Sequence, residues 1–320
     1  MTKQLWGTIL LLITTMLWGC SFVAQRTSVD AVDAFTFNTG RMCSAFLTMV
    51  VIVVIRWWLN RRKRMTDNSR QISVWPPQNM DMKSLLIGGL LCGITISGGI
   101  ACMQLGIMTT SAGKTGFETA LYIIEVPILG LLLGKKPRKI LWVCVLIALV
   151  GLWLLAVTPG TSMGLARGDV ILLIGTVFFA LQIMFMDHYV EKADPMLLST
   201  LQFAVGAVAF PIMMVVFEDP TWEAFRGELM PMLYAGIISS AVGFTLAAYA
   251  QQYVDPTLTS LLMSLEGVFA VIGAWVLINE HMSGRELLGC ALVLIAIIIT
   301  QLPEKRQQET GGRDNETNNP

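Results

Sequence analysis

Three charged residues interrupt an otherwise apolar stretch, SAGKTGFETALYIIEVPILG at 111–130: Lys114, Glu118 and Glu125. Steps of four and seven residues put all three near one helical face. Ionisable groups there can pair, line a wet path or exchange protons; turned to lipid, each would cost roughly 2.5–3.5 kcal/mol. Lys114 and Glu118 suit an i,i+4 ion pair, with Lys114 either facing a cavity or snorkelling outward. Glu125 has no partner on its own helix, shares its face with Leu121 and Tyr122, and precedes Pro127, which opens the backbone. A carboxyl that alternates between water and a drier interior can take up and release a proton. Glu118 and Glu125 are therefore the proton-coupling candidates.

Other polar residues also fall inside apolar runs. Arg41 suits a substrate carboxylate or an anchoring contact, and Glu266 suits a solute or a hydrogen bond between helices. Gln202 offers a donor and an acceptor without the desolvation cost of a charge. Trp18, Phe117, Tyr122 and Phe269 are candidate aromatic walls. His188 and His281 stand apart without ligand spacing, so neither a metal site nor a cofactor is expected.

The elements that hold these residues follow from composition. The chain has 320 residues, 54% of them hydrophobic and 14% charged, and a mean hydropathy of +0.65. Its formal net charge is zero, which gives no electrostatic draw toward nucleic acid. Six cysteines lie inside apolar runs without CxxC spacing and read as packing residues. The first run is too long for a cleavable signal core, and no small-x-small site follows it. LWGC at 17–20 puts bulky Trp18 where a lipoprotein box needs a small residue, so the first run is expected to stay as a span.

Ten apolar runs approach the roughly 20 residues that cross a bilayer. They fall at 5–25, 34–56, 84–108, 112–133, 139–157, 169–188, 196–217, 231–253, 257–278 and 285–302. Short connections such as Val254–Pro256 predict that consecutive spans are antiparallel neighbours. One set of loops carries Arg61 to Arg64, Lys135, Lys136, Arg138 and Lys192; the other carries only Arg26, Arg167, Arg226 and Arg285. That asymmetry predicts both termini in the cytoplasm, a basic cytoplasmic loop at 57–83 and a disordered polar tail at 303–320.

The chain also matches itself. From Ile9 and from Val170 two segments align at one offset, matching Trp18 to Phe179 and Arg41 to Gln202. A second alignment lays the stretch ending at Gly130 over the one ending at Gly273. Residues 1–157 and 158–302 are then two five-helix repeats. An odd number of helices forces the halves to insert oppositely, which places a binding site at their interface near the midplane.

LWGCSF, the arginine of NTGRMCSAF, TTSAGKTGFETALYIIEVPILGLLLGKKP and PTLTSLLMSLEGVFAVIGAWVLINE, followed by LLGCALVLIAIIITQL, resemble the EamA-type members of the drug/metabolite transporter superfamily. The resemblance covers residues 5–302. It implies an all-α membrane protein of ten helices with a central cavity, which exports or exchanges a metabolite, amino acid or drug-like solute through the cell membrane. The acidic residues at 118 and 125 depart from that pattern, which is usually apolar there. The mixed charges suit a zwitterion; without Lys114 the acids favour a cation. No GxxxxGK[ST] loop is present, so an ion or solute gradient is the expected driving force. The competing classes are a membrane-embedded enzyme or a sensor acting on a lipid or small amphiphile. HExxH does not occur and the loops are too short to build a soluble catalytic site, so an enzyme is not expected.

Overall fold

Backbone surrounded by hydrocarbon must satisfy its own polar groups, and a helix does this within one segment. The computed structural model describes residues 3–66, 75–77, 80–108, 115, 118–135, 137–156, 167–278 and 283–301, and among these there is no strand. The first half contains α1 (Lys3–Ser28), α2 (Ala34–Thr66), α3 (Met82–Ile107), α4 (Tyr122–Leu132) and α5 (Lys139–Ala156). The second contains α6 (Arg167–Tyr189), α7 (Pro195–Phe217), and short α8 (Trp222–Gly227) and α9 (Leu229–Leu233). A π-helical segment (Tyr234–Phe244) follows, then α10 (Thr245–Gln251), α11 (Pro256–Met263), α12 (Leu265–Ile278) and α13 (Gly284–Gln301).

Among the described residues, seven segments are long and apolar enough to cross a membrane: Lys3–Phe22, Ala34–Arg62, Met82–Ile107, Arg167–Tyr189, Pro195–Phe217, Leu229–Gln251 and Pro256–Gly273. Tyr122–Leu132, Lys139–Leu154 and Leu287–Thr300 are apolar but shorter. Leu47, Val51, Val208, Val215 and Ile298 are exposed on the outer surface, as side chains facing lipid would be.

Two helix starts follow directly from Asp-Pro pairs. Asp194 and Asp255 accept hydrogen bonds from amides at the starts of α7 and α11, and the proline that follows has no N–H to leave unsatisfied. Other boundaries differ from the sequence expectation. The span predicted at 34–56 continues as helix to Thr66 because no glycine or proline interrupts WWLNRRKRM. Trp57 and Trp58 are exposed there, with the Arg61 and Arg62 guanidinium carbons 5.5 and 4.1 Å from their rings. The predicted 257–278 span breaks at Ser264, whose hydroxyl donates to the Leu261 carbonyl at 2.7 Å. The predicted 231–253 span contains the π segment. Lys114, Phe117, His281 and the 303–320 tail lie outside the described residues.

The extensive contacts run between the halves and only weakly between consecutive helices, contrary to the short-loop expectation. α3 packs on α6 as the π segment and α10 pack on α1. α3 packs on α7 as the π segment packs on α2, and α1 meets α12 as α4 meets α6. α2 meets α7, α4 meets α11 and α5 meets α13. Exchanging each helix for its counterpart in the other half turns this set of pairs into itself. Close approach at the α3–α7 contact requires Gly89 and Gly93. A Cβ added there would stand 2.4 Å from the Leu201 Cβ and 2.6 Å from the Val205 Cβ.

Candidate functional site

Polar residues of α1 and α2 meet the π segment. The Trp18 indole N–H donates to the Ser239 carbonyl at 2.9 Å, and its ring lies 4.4 Å from that of Phe244. Buried Arg41 donates from Nε to the Ser240 hydroxyl at 2.8 Å and from Nη1 to Gln25 Oε1 at 3.3 Å. π turns usually occur as single bulges at functional sites; here one extends over 11 residues. It also touches the backbone that carries Arg41. A Cβ at Gly236 would lie 2.5 Å from the Arg41 carbonyl oxygen and 1.9 Å from the Ser44 hydroxyl.

Glu266 enters from the other direction. The break at Ser264 places it in the first turn of α12, where its Oε1 accepts the Tyr122 hydroxyl at 3.0 Å. The Tyr122 ring meets Phe179 edge-on at 6.5 Å between centroids. Trp18, Arg41, Tyr122, Phe179, Phe244 and Glu266 line one cavity with about 520 Å³ of empty space. Its charged lining residues are Arg41 and Glu266, and among the described residues no ion pair joins them. Thr119 and Ser239 also line it, both buried, with hydroxyl oxygens that lack a hydrogen-bond partner. Buried polar groups are nearly always bonded, so these two are free to meet a ligand.

The cavity lies toward the end of the molecule where α1 stops and α2 starts. At the opposite end, bonds tie separate elements together. Arg56 Nη1 donates to the Tyr249 hydroxyl at 2.7 Å, and its guanidinium carbon sits 4.5 Å from the Trp75 ring. The Trp75 N–H donates to Asp194 Oδ2 at 2.8 Å. Lys135 pairs there with Asp187.

A model of the EamA-like transporter family matches residues 5–157 and again 166–302. The chain belongs to this family. An uncharacterized transporter of Archaeoglobus fulgidus is 26% identical, over 94% of this chain and 87% of its own. The transporter YwfM of Bacillus subtilis is 21% identical over 94% and 95% of the two chains. A solved crystal structure shares the fold with a TM-score of 0.73 at 16% identity, covering 92% of this chain and 96% of its own.

In this EamA-like transporter the two family matches meet at the cavity, since both contribute lining residues. Four of the residues singled out from sequence line it: Trp18, Arg41, Tyr122 and Glu266. Gln202 does not; its Oε1 accepts from the Nε2 of Gln182, which does line the cavity, at 3.3 Å. Glu118 is buried next to Thr119 and is not a lining residue. Glu125 is half-buried one turn past Tyr122 and meets Thr176 on α6, outside the cavity. Lys114 lies outside the described residues. Phe269 is not a lining residue; its Cβ lies where a side chain at Gly19 would stand. Gln25, Thr119, Gln182 and Ser239 were not legible as site residues, though one signal existed. The offset that matches Trp18 to Phe179 also matches Ser21 to Gln182, and all four line the cavity.

Proposed function

We propose that this EamA-like transporter moves a small zwitterion, such as an amino acid or related metabolite, through the cell membrane by alternating access. The observation that carries this reading is the separation of Arg41 and Glu266 in one cavity, each held by neutral partners and not by the other. An α-carboxylate meets the guanidinium and an α-ammonium meets the carboxylate, while Trp18, Phe179 and Phe244 take an apolar side chain. Ser239 and Thr119 supply the hydroxyls that complete its hydrogen bonds. The zwitterion reading, which from sequence rested on Arg41 and Lys114 with Glu118 and Glu125, here rests on Arg41 and Glu266.

The transport cycle follows from two inverted halves of five spans each, 1–157 and 158–302. The self-mapping contact pairs and the doubled family match support that arrangement. Lysine and arginine asymmetry places both termini and the Arg56–Trp75 cluster inside. The described conformation is then closed to the cytoplasm, with the cavity on the outer side. Rocking of one half against the other reverses this, giving export or exchange.

The test is thermal stabilisation and counterflow of the purified protein in liposomes, across panels of amino acids, organic cations and organic anions. Amino acids should stabilise the protein and exchange across the membrane. Stabilisation by cations or anions alone would exclude the zwitterion.

A further inference from the structure

We infer that Glu125 holds a proton in this conformation and is the chain's proton site, separate from the solute cavity and coupled to it through α4. Thr176 Oγ1 lies 2.7 Å from Glu125 Oε1 and 2.8 Å from the Leu173 carbonyl oxygen. A hydroxyl has one proton to give. In a helix, threonine gives it to the carbonyl three or four residues back, and Leu173 stands three back. The short contact to Glu125 then takes its proton from the carboxyl, so that Glu125 donates to Thr176 and Thr176 donates to Leu173.

Three further observations favour the neutral acid. Glu125 Oε2 is buried and has no hydrogen-bond partner, which an ionised carboxylate does not tolerate. The outward flank is apolar: Ile128, one turn on, and Leu173, one turn before Thr176, are both exposed where lipid would lie. Among the described residues no cation is at hand either. The helices packed against α4 are α6 and α11, and α11 carries no ionisable residue. On α6, Arg167 and Asp169 lie at the start and Asp187, His188 and Tyr189 at the end. Arg167 and Asp187 are roughly 13 and 16 Å from Thr176 along the axis at 1.5 Å per residue. On the α4 side the ionisable neighbours are Glu118 and Tyr122, and Tyr122 reaches Glu266.

This inference rests on the transport reading for its purpose. Tyr122 touches the cavity and Glu125 lies three residues further along the same helix, so a shift of α4 on α6 acts on both. When that contact opens and water enters, the Glu125 O–H bond breaks, the proton passes to water and a solvated carboxylate remains. Closing the contact requires a proton back.

The test uses the full chain in liposomes at neutral pH. The native protein should show the infrared carbonyl band of a protonated carboxyl in a dry setting, and Glu125→Gln should lose it. Thr176→Val should shift that band without removing it. With labelled leucine and phenylalanine, Glu125→Gln should exchange across the membrane as the native chain does and lose accumulation driven by a pH gradient. An unchanged band in Glu125→Gln overturns the inference, as does accumulation that stays pH-driven in that variant. If the native protein moves no amino acid, the solute reading fails, and the infrared comparison still decides where the proton sits.

Discussion

Tyr122 donates its phenol proton to Glu266 across 3.0 Å, and one turn along the same helix Glu125 meets Thr176 at 2.7 Å. One helix thus touches a carboxyl inside the cavity and another outside it. On the reading proposed above, the first serves solute recognition and the second the proton.

Arg41→Gln should abolish stabilisation by amino acids while the protein still inserts. A hydrogen bond to a charged group contributes about 1.5–3 kcal/mol, so affinity should fall at least about tenfold. Arg41→Lys should recover little of it, because a lysine cannot reproduce the fork that meets Ser240 and Gln25. Calorimetric titration of the solute checks both variants.

Tyr122→Phe removes the only hydrogen bond described for the Glu266 carboxylate and keeps the ring against Phe179. Leaving a buried carboxylate short of a donor costs about 1–3 kcal/mol. The variant should melt lower than the native chain in the same detergent, and bound amino acid should restore part of the loss by supplying its ammonium.

Gly236→Ala should be among the most damaging single-methyl changes in the chain. Its Cβ would meet the Arg41 backbone at 2.5 Å, and backbone cannot step aside as a flexible side chain can. Overpacking of this kind costs about 1–3 kcal/mol and would tilt Arg41 out of the cavity. Gly227→Ala, with nothing within 4 Å, is the control. Thermal unfolding and solute affinity should both fall for the first variant and stay unchanged for the second.

Asp194 has two tasks that substitution can separate. Asp194→Asn keeps an oxygen to cap α7 but puts an amide where the carboxylate accepts the Trp75 N–H. Asp194→Ala loses both and should cost about 1 kcal/mol more through the cap. Thermal unfolding should rank them native, Asn, Ala. In liposomes the Asn variant should show faster labelling of Trp75-side residues by a cytoplasmic-side reagent.

Asp81 caps α3 outside the spans, and the Ser84 hydroxyl at 2.5 Å, with the Ser84 and Lys83 amides, holds its carboxyl below the usual aspartate range. A depressed carboxyl gives its stabilisation above the unfolded-state value and loses it as pH falls through the folded one. Amide exchange at Leu85 should therefore stay slow through mild acid and quicken only below the ordinary aspartate range. Asp81→Asn should remove that pH dependence.

The sequence by itself determined that this is a helical membrane protein of a transporter family, because hydrocarbon admits apolar helices and little else. It also determined where α7 and α11 start, since an Asp-Pro pair carries its cap within two residues. Trp18, Arg41, Tyr122 and Glu266 were legible as cavity-lining residues because a polar or aromatic group in an apolar run has few reasons to be there. The rest depended on contacts between residues distant in sequence. Spacing along one helix grouped Lys114, Glu118 and Glu125, yet packing turned Glu125 toward Thr176 on α6 and put Glu266, from the other half, beside Tyr122. The π segment and the break at Ser264 leave no periodic mark in the sequence, because the backbone departs from α geometry only where neighbouring helices compensate it. Those two departures place Ser240 against Arg41 and Glu266 in the cavity. Arg41 and Glu266 line one cavity because two half-chains fold against one another.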